Sequence, residues 1–239
     1  DGRRINIYAN IQQSDEAFVA FESGAEGIGL LRSEFLFIGR KEYPTEEQQY
    51  EVYKKVIKSA KGKPVNIRTF DVGADKKAEF INIGQEENPA LGMRGIRLSL
   101  MRQQEFITQL KAIMRAATCG DVSIMYPMVT SVLELETIAG CNRKAIEELD
   151  KEGASYKKVK QGVLLETPAA VMISHRMANM VDFFSIGTND LEQYALATDR
   201  QGIVQRQYMD PEHEALISLV KIAVASAKAA KIDVSVCGE

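Results

Sequence analysis

Gly162-Val163-Leu164-Leu165-Glu166-Thr167-Pro168 and, a helical segment later, Asp182-Phe183-Phe184-Ser185-Ile186-Gly187-Thr188-Asn189-Asp190 decide the fold class. Each begins as a short, continuously apolar run, and each ends at polar residues that open a helix. Thr167 suits an N-cap and Pro168 the first helical position, where its missing N–H costs little. Continuous rather than alternating apolarity marks strands covered on both faces, as in a parallel sheet. The pattern recurs outward from this segment. Strands are expected at 5–11, 27–31, 64–70, 122–127, 162–165, 182–186 and 232–237. Helices are expected at 14–22 (capped by Ser14), 45–60 (opened by Thr45), 98–117, 131–150 and 211–231. The segment 71–95, with Gly73, Gly84, Pro89, Gly92 and Gly95, reads as a long loop of the kind that carries function. Strict βα alternation leaves a doubly wound sheet or a (β/α)8 barrel. No glycine-rich phosphate loop follows the first strand, so the reading is α/β, a TIM-type barrel of which seven βα strands lie in this chain.

Composition narrows the class of partner. The 239 residues fit one large domain, and 45% apolar with 26% charged residues is a globular balance. Thirty Lys and Arg against 33 Asp and Glu leave a net charge of −3, without the broad positive field of a nucleic-acid binder. No apolar run approaches the roughly 18 residues of a spanning helix, and no secretory signal pattern opens the chain, which reads as cytoplasmic and without membrane insertion. Cys119, Cys141 and Cys237 are far apart and lack metal-ligand spacing, which argues for reduced thiols. The chain starts at Asp1 and stops at Glu239, directly after the last expected strand, and is expected to be a fragment of a longer one.

In a barrel, chemistry gathers where strands pass into βα loops. Those exits carry Arg32-Ser33-Glu34, Arg68 with Asp71, Glu166, Gly187-Thr188-Asn189-Asp190 and Cys237-Gly238-Glu239. Taken singly, each has a plainer reading: the arginines as loop ion pairs, the carboxylates as helix N-terminal charges, Cys237 as a small buried hydrophobe. Their co-occurrence at equivalent ends is what the plain reading does not predict. Glu166 and Asp190, without a His or Cys cluster, suit a hard oxygen-seeking ion such as Mg²⁺. Arginine forks match phosphate or carboxylate. Together they imply a small, highly anionic, phosphorylated substrate, beside a thiol that can serve as nucleophile or proton donor.

Gly27-Ile28-Gly29-Leu30-Leu31-Arg32-Ser33-Glu34-Phe35-Leu36-Phe37 with Pro44-Thr45-Glu46-Glu47 closely resembles the Enzyme I family of the bacterial sugar phosphotransferase system, the phosphoenolpyruvate-protein phosphotransferases. So do Ile67-Arg68-Thr69-Phe70-Asp71-Val72-Gly73, Asn88-Pro89-Ala90-Leu91-Gly92, Glu166-Thr167-Pro168-Ala169-Ala170, the run 182–191 and Cys237-Gly238-Glu239, in family order. The resemblance implies a single phosphoenolpyruvate-binding barrel over 1–239, with an upstream phosphohistidine domain, an HPr-docking domain and the last βα unit outside this chain. It implies Mg²⁺ on Glu166 and Asp190, phosphate held by Arg32, Arg68 and Arg200 with Asn189 and Asp190, and Cys237 as the acid that protonates the enolpyruvate carbon when pyruvate forms. Arg94 would match a further rim arginine and Lys76 a loop lysine. It also implies a homodimer. Met93 stands where the family often has an aromatic and Ala74 where it usually has a glycine. His175 and His213, both in expected helices, read as surface or packing residues rather than phosphoryl acceptors. Sister readings are the same barrel in pyruvate phosphate dikinase or phosphoenolpyruvate synthase, a catalytically silent phosphoenolpyruvate-sensing or dimerisation module, and a Mg²⁺-dependent lyase acting on 2-oxo acids.

Overall fold

The computed structural model describes residues 2, 4–72, 86–200, 202 and 205–238, without the side chains of 205 and 206. Gly73, Ala74, Lys76, Gly84 and Glu239 lie outside the described residues. In chain order the elements are β1 (Ala9–Ile11), α1 (Glu16–Glu22), β2 (Ile28–Arg32), α2 (Glu46–Ser59), β3 (Val65–Arg68), α3 (Ile96–Met101), α4 (Gln103–Ala116), β4 (Val122–Tyr126), α5 (Val132–Glu152), β5 (Lys160–Leu165), α6 (Pro168–Met172), α7 (Ser174–Met177), β6 (Phe183–Gly187), α8 (Thr188–Ala195), α9 (Glu214–Ala230) and β7 (Asp233–Cys237). All seven expected strands form, and their hydrogen-bonded order is β1-β2-β3-β4-β5-β6-β7. A doubly wound sheet reverses its strand order at a switch point. The sequential order here does not, and it places the chain in the α/β class with barrel-type connectivity.

The chain divides into two compact units, 1–124 with 138–159, and 125–137 with 160–239. In the first, β1, β2 and β3 pair in parallel, with Arg32 opposite Arg68. Ile28, Leu30 and Leu31 of β2 are buried, as continuous apolarity requires. Phe37 packs against Phe70 edge-on at 4.6 Å between centroids and against Tyr43 at 5.0 Å, closing a small core with Val72 and Leu98 beside the strand exits. Thr45 forms a full capping box with Gln48, which explains why α2 starts where expected. In the second unit, β5, β6 and β7 pair in parallel, with Gly187 opposite Cys237. Thr167 caps α6 through the Ala170 N–H, 3.2 Å away, as its sequence predicts. Among the described residues no helix is long and apolar enough to cross a membrane.

Four local expectations are corrected. Ser14 does not cap α1. Asp15 precedes the helix without a side-chain cap, and Glu16 instead accepts the Gln12 N–H at 2.7 Å. The helix expected at 98–117 is two, α3 and α4, broken at Arg102 (φ −113°, ψ 60°). Apolar residues keep helical spacing across that joint, so periodicity cannot reveal it. The first strand begins only at Ala9, and Ile5 and Ile7 stay exposed. His213, expected inside the last helix, instead precedes it as the N-cap of α9, its Nδ1 accepting the Ala215 N–H at 3.1 Å.

Candidate functional site

In the first unit, three of the arginines singled out by sequence meet in one ion chain. Arg32, the last residue of β2, reaches Glu34 Oε1 through Nε at 3.0 Å. Arg68, the last residue of β3, reaches the same oxygen through Nη2 at 2.6 Å. Its Nη1 lies 3.0 Å from Asp71 Oδ2, and Arg94 Nη2 lies 3.1 Å from that oxygen. The order is therefore Arg32, Glu34, Arg68, Asp71, Arg94, cation alternating with anion. Glu34 and Asp71 are buried, as is Arg68, and buried charges persist only when paired and hydrogen-bonded. Within this chain of contacts among the described residues, three guanidinium groups face two carboxylates. Arg32 is the most exposed of the three and stacks over the Phe35 ring, 5.3 Å from its centroid. Such an array holds its forks in place before an anion arrives, so little reorganisation accompanies binding.

Sequence reasoning named Glu34 and Asp71 only as neighbours of strand ends and gave neither a role. The available signal was spacing: an acid two residues after Arg32 and three after Arg68, at exits of adjacent strands. The plain reading of these arginines as ion pairs is thus correct as geometry.

The second unit brings together a different set. Glu166 follows β5, is buried, and accepts the Met128 N–H through Oε1 at 2.6 Å. Met128 has φ +57°, the left-handed conformation that non-glycine residues adopt rarely and often near functional sites. Gly187, ending β6, lies so close to Glu166 that an added Cβ would sit 3.0 Å from the Glu166 Cβ and 3.1 Å from Oε2. A side chain at position 187 would crowd the Glu166 carboxylate and require it to shift by a few tenths of an ångström. On α8, Asp190 is buried, and Arg200 Nη2 is 3.7 Å from its Oδ1. Gln193, three residues on, accepts the Arg200 N–H at 3.1 Å and so seats that turn on the same helix.

Cys237 ends β7 and is partly exposed, not a buried hydrophobe. Thr188 Oγ1 donates to the Cys237 carbonyl at 3.4 Å. A Cβ on Gly238 would stand 1.7 Å from Thr188 Oγ1 and 3.2 Å from Asn189 Oδ1. Only glycine lets the end of β7 lie this close to the first turn of α8. Gly238→Ala is expected to displace that turn and lower anion affinity roughly tenfold while leaving the helical circular dichroism intact; wild-type affinity in the variant would show the approach to be irrelevant.

Glu166, directly after β5, and Asp190, on α8, each offer carboxylate oxygens, and no grouping of three or more His, Cys, Asp or Glu residues with metal-site geometry occurs among the described residues. An all-oxygen, two-carboxylate set fits Mg²⁺, which completes its shell with water and substrate oxygens, and does not fit zinc.

A family profile described as PEP-utilising enzyme, PEP-binding domain, matches residues 1–239. The chain belongs to that family. Among its curated relatives, the multiphosphoryl transfer protein of Rhodobacter capsulatus is 46% identical over 239 residues, all of this chain and 28% of the relative. The phosphoenolpyruvate-protein phosphotransferase of Buchnera aphidicola is 43% identical over 222 residues, 92% of this chain and 39% of the relative. That of Bacillus subtilis is 38% identical over 240 residues, all of this chain and 42% of the relative. The PEP-binding domain here thus spans well under half the length of these relatives. A solved citrate lyase from Burkholderia xenovorans superposes with a TM-score of 0.59 at 14% identity, covering 99% of this chain and 64% of the other, a likeness of fold alone.

Proposed function

We propose that this PEP-binding domain serves a phosphoenolpyruvate-protein phosphotransferase. The alternating Arg32-Glu34-Arg68-Asp71-Arg94 array, in a chain that matches the family from end to end, carries the reading. In this reading Arg32, Arg68, Arg200 and Asn189 bind the phosphate, and Asp190 and Arg94 are further substrate-binding residues. Glu166 and Asp190 hold Mg²⁺, which when bound neutralises charge on the phosphoryl oxygens. Phosphoryl transfer asks a protein mainly for positioning and charge neutralisation, and fixed guanidinium groups meet that demand. Loss of the phosphoryl group leaves the enolate of pyruvate, whose carbon takes a proton, and the Cys237 thiol donates it. The acceptor is a histidine on another domain of the longer protein, which passes the group to HPr as the first step of sugar uptake. The site domain works in the cytoplasm as a homodimer. The names of the relatives favour this over pyruvate phosphate dikinase, phosphoenolpyruvate synthase or a silent sensing module.

Calorimetric titration of the chain with phosphoenolpyruvate, with and without Mg²⁺, tests the reading. Mg²⁺-dependent binding is expected, and no binding under either condition would overturn it. In the longer protein, Cys237→Ala should slow net turnover while phosphoenolpyruvate affinity stays near wild type. Affinity lost along with turnover would refute the proton-donor role.

A further inference from the structure

Gln109 lies on α4, outside every motif, and is completely buried. Its carboxamide is used at both ends. Oε1 accepts the Phe70 N–H at 3.0 Å, while Nε2 donates to Ser33 Oγ at 3.1 Å and to the Tyr53 hydroxyl at 2.9 Å. Ser33 and Tyr53 are buried as well, and the Tyr53 hydroxyl also hydrogen-bonds Ser33. Burial pushes the Tyr53 phenol up, so it stays neutral and keeps its proton to donate.

What Gln109 holds is specific. Ser33 stands between Arg32 and Glu34, the first two members of the ion chain. Phe70 immediately precedes Asp71 and follows Arg68 by two residues. One side chain thus ties the Ser33 hydroxyl at one arginine-bearing exit to the Phe70 backbone at the other, across the gap that the 2.6 Å Arg68–Glu34 contact bridges. A buried amide with both ends satisfied is an expensive way to fill space, because any lost partner leaves a polar group stranded. An apolar residue would pack the same volume without that risk.

We propose that Gln109 is a positioning residue for the anion site, which sets the spacing of the Arg32 and Arg68 forks through Ser33 and Phe70. The inference rests on the phosphoenolpyruvate reading for its ligand but not for its geometry. Misplacing a binding group by a fraction of an ångström to an ångström weakens its ligand steeply.

The test uses the intact chain and two readouts. Gln109→Leu is expected to raise the dissociation constant for phosphoenolpyruvate with Mg²⁺ by about tenfold. In the ligand-free protein it should speed solvent exchange of the Arg32 Nε–H, which is donated to Glu34, by about tenfold in nitrogen-15 NMR. Leu149→Ala, a buried truncation on α5 outside this hydrogen-bond network, supplies a variant of lowered melting temperature, and neither readout should move in it. Should Gln109→Leu fail to fold, Tyr53→Phe removes one of the three bonds and is expected to shift both readouts by about two- to threefold. Unchanged Arg32 exchange in the Gln109 or Tyr53 variant, or an equal change in Leu149→Ala, overturns the proposal. If the wild-type chain binds no phosphoenolpyruvate while Arg32 exchange still responds to Gln109→Leu, the positioning role stands and the ligand reading falls.

Discussion

Arg68→Ala is expected to lower phosphoenolpyruvate affinity by at least about a hundredfold and to destabilise the fold by about 3 kcal/mol. The two losses share one cause. Arg68 is the central cation of the array, bonded to Glu34 through one terminal nitrogen and to Asp71 through the other. Without it, Glu34 keeps Arg32 and Asp71 keeps Arg94, but the two buried carboxylates lose the cation they share. An anionic ligand would meet the same carboxylates with one guanidinium fewer to offset them. Arg68→Lys separates the effects. A lysine restores the charge but presents a point cation that cannot fork between two carboxylates. Stability should recover part of the way while affinity stays at least about tenfold low, because the arginine fork and not the charge alone orients the phosphate. Urea unfolding and calorimetric titration of both variants check this, and wild-type affinity in Arg68→Ala would remove the array from the binding site.

Glu166→Gln and Asp190→Asn are each expected to abolish the Mg²⁺ dependence of phosphoenolpyruvate binding. Both substitutions conserve shape and remove one negative charge. At Glu166 the comparison is clean, since a glutamine oxygen can still accept the Met128 N–H that Oε1 now accepts at 2.6 Å. The left-handed turn at Met128 should therefore survive, and any change reports on charge and coordination. At position 190 the asparagine keeps an oxygen near Arg200 but weakens the ionic contact now spanning 3.7 Å. Titrations of each variant with and without Mg²⁺ should superimpose. Persisting metal dependence in both would take these carboxylates out of the metal site and leave the arginines to bind the ligand alone.

Both substitutions act on residues that were legible from sequence, whereas the groups that orient those residues mostly were not. Glu166 and Asp190 stand out because one directly follows an apolar run and the other falls in the helical turn that opens just after one. Met128 carries no such mark, since nothing in a methionine announces φ +57°. Gly187 and Gly238 are visible as glycines, but the reason for them, a carboxylate and a threonine side chain within Cβ reach, exists only in three dimensions. Gln109 sits within a helical pattern that would accommodate an apolar residue equally well.

The sequence by itself determined the α/β alternation, all seven strands, the caps at Thr45 and Thr167, and the family. Those signals are local: an apolar run, a hydroxyl before a helix and a motif each occupy a few consecutive residues. Only the tertiary structure decided which charges meet. Arg68 finds Glu34 across 34 positions, Arg94 finds Asp71 across 23, and Gln109 finds Ser33 across 76. Pairing at such separations follows from strand order and register, and the sequence yields a buried arginine's partner only after the chain has placed two strand ends side by side.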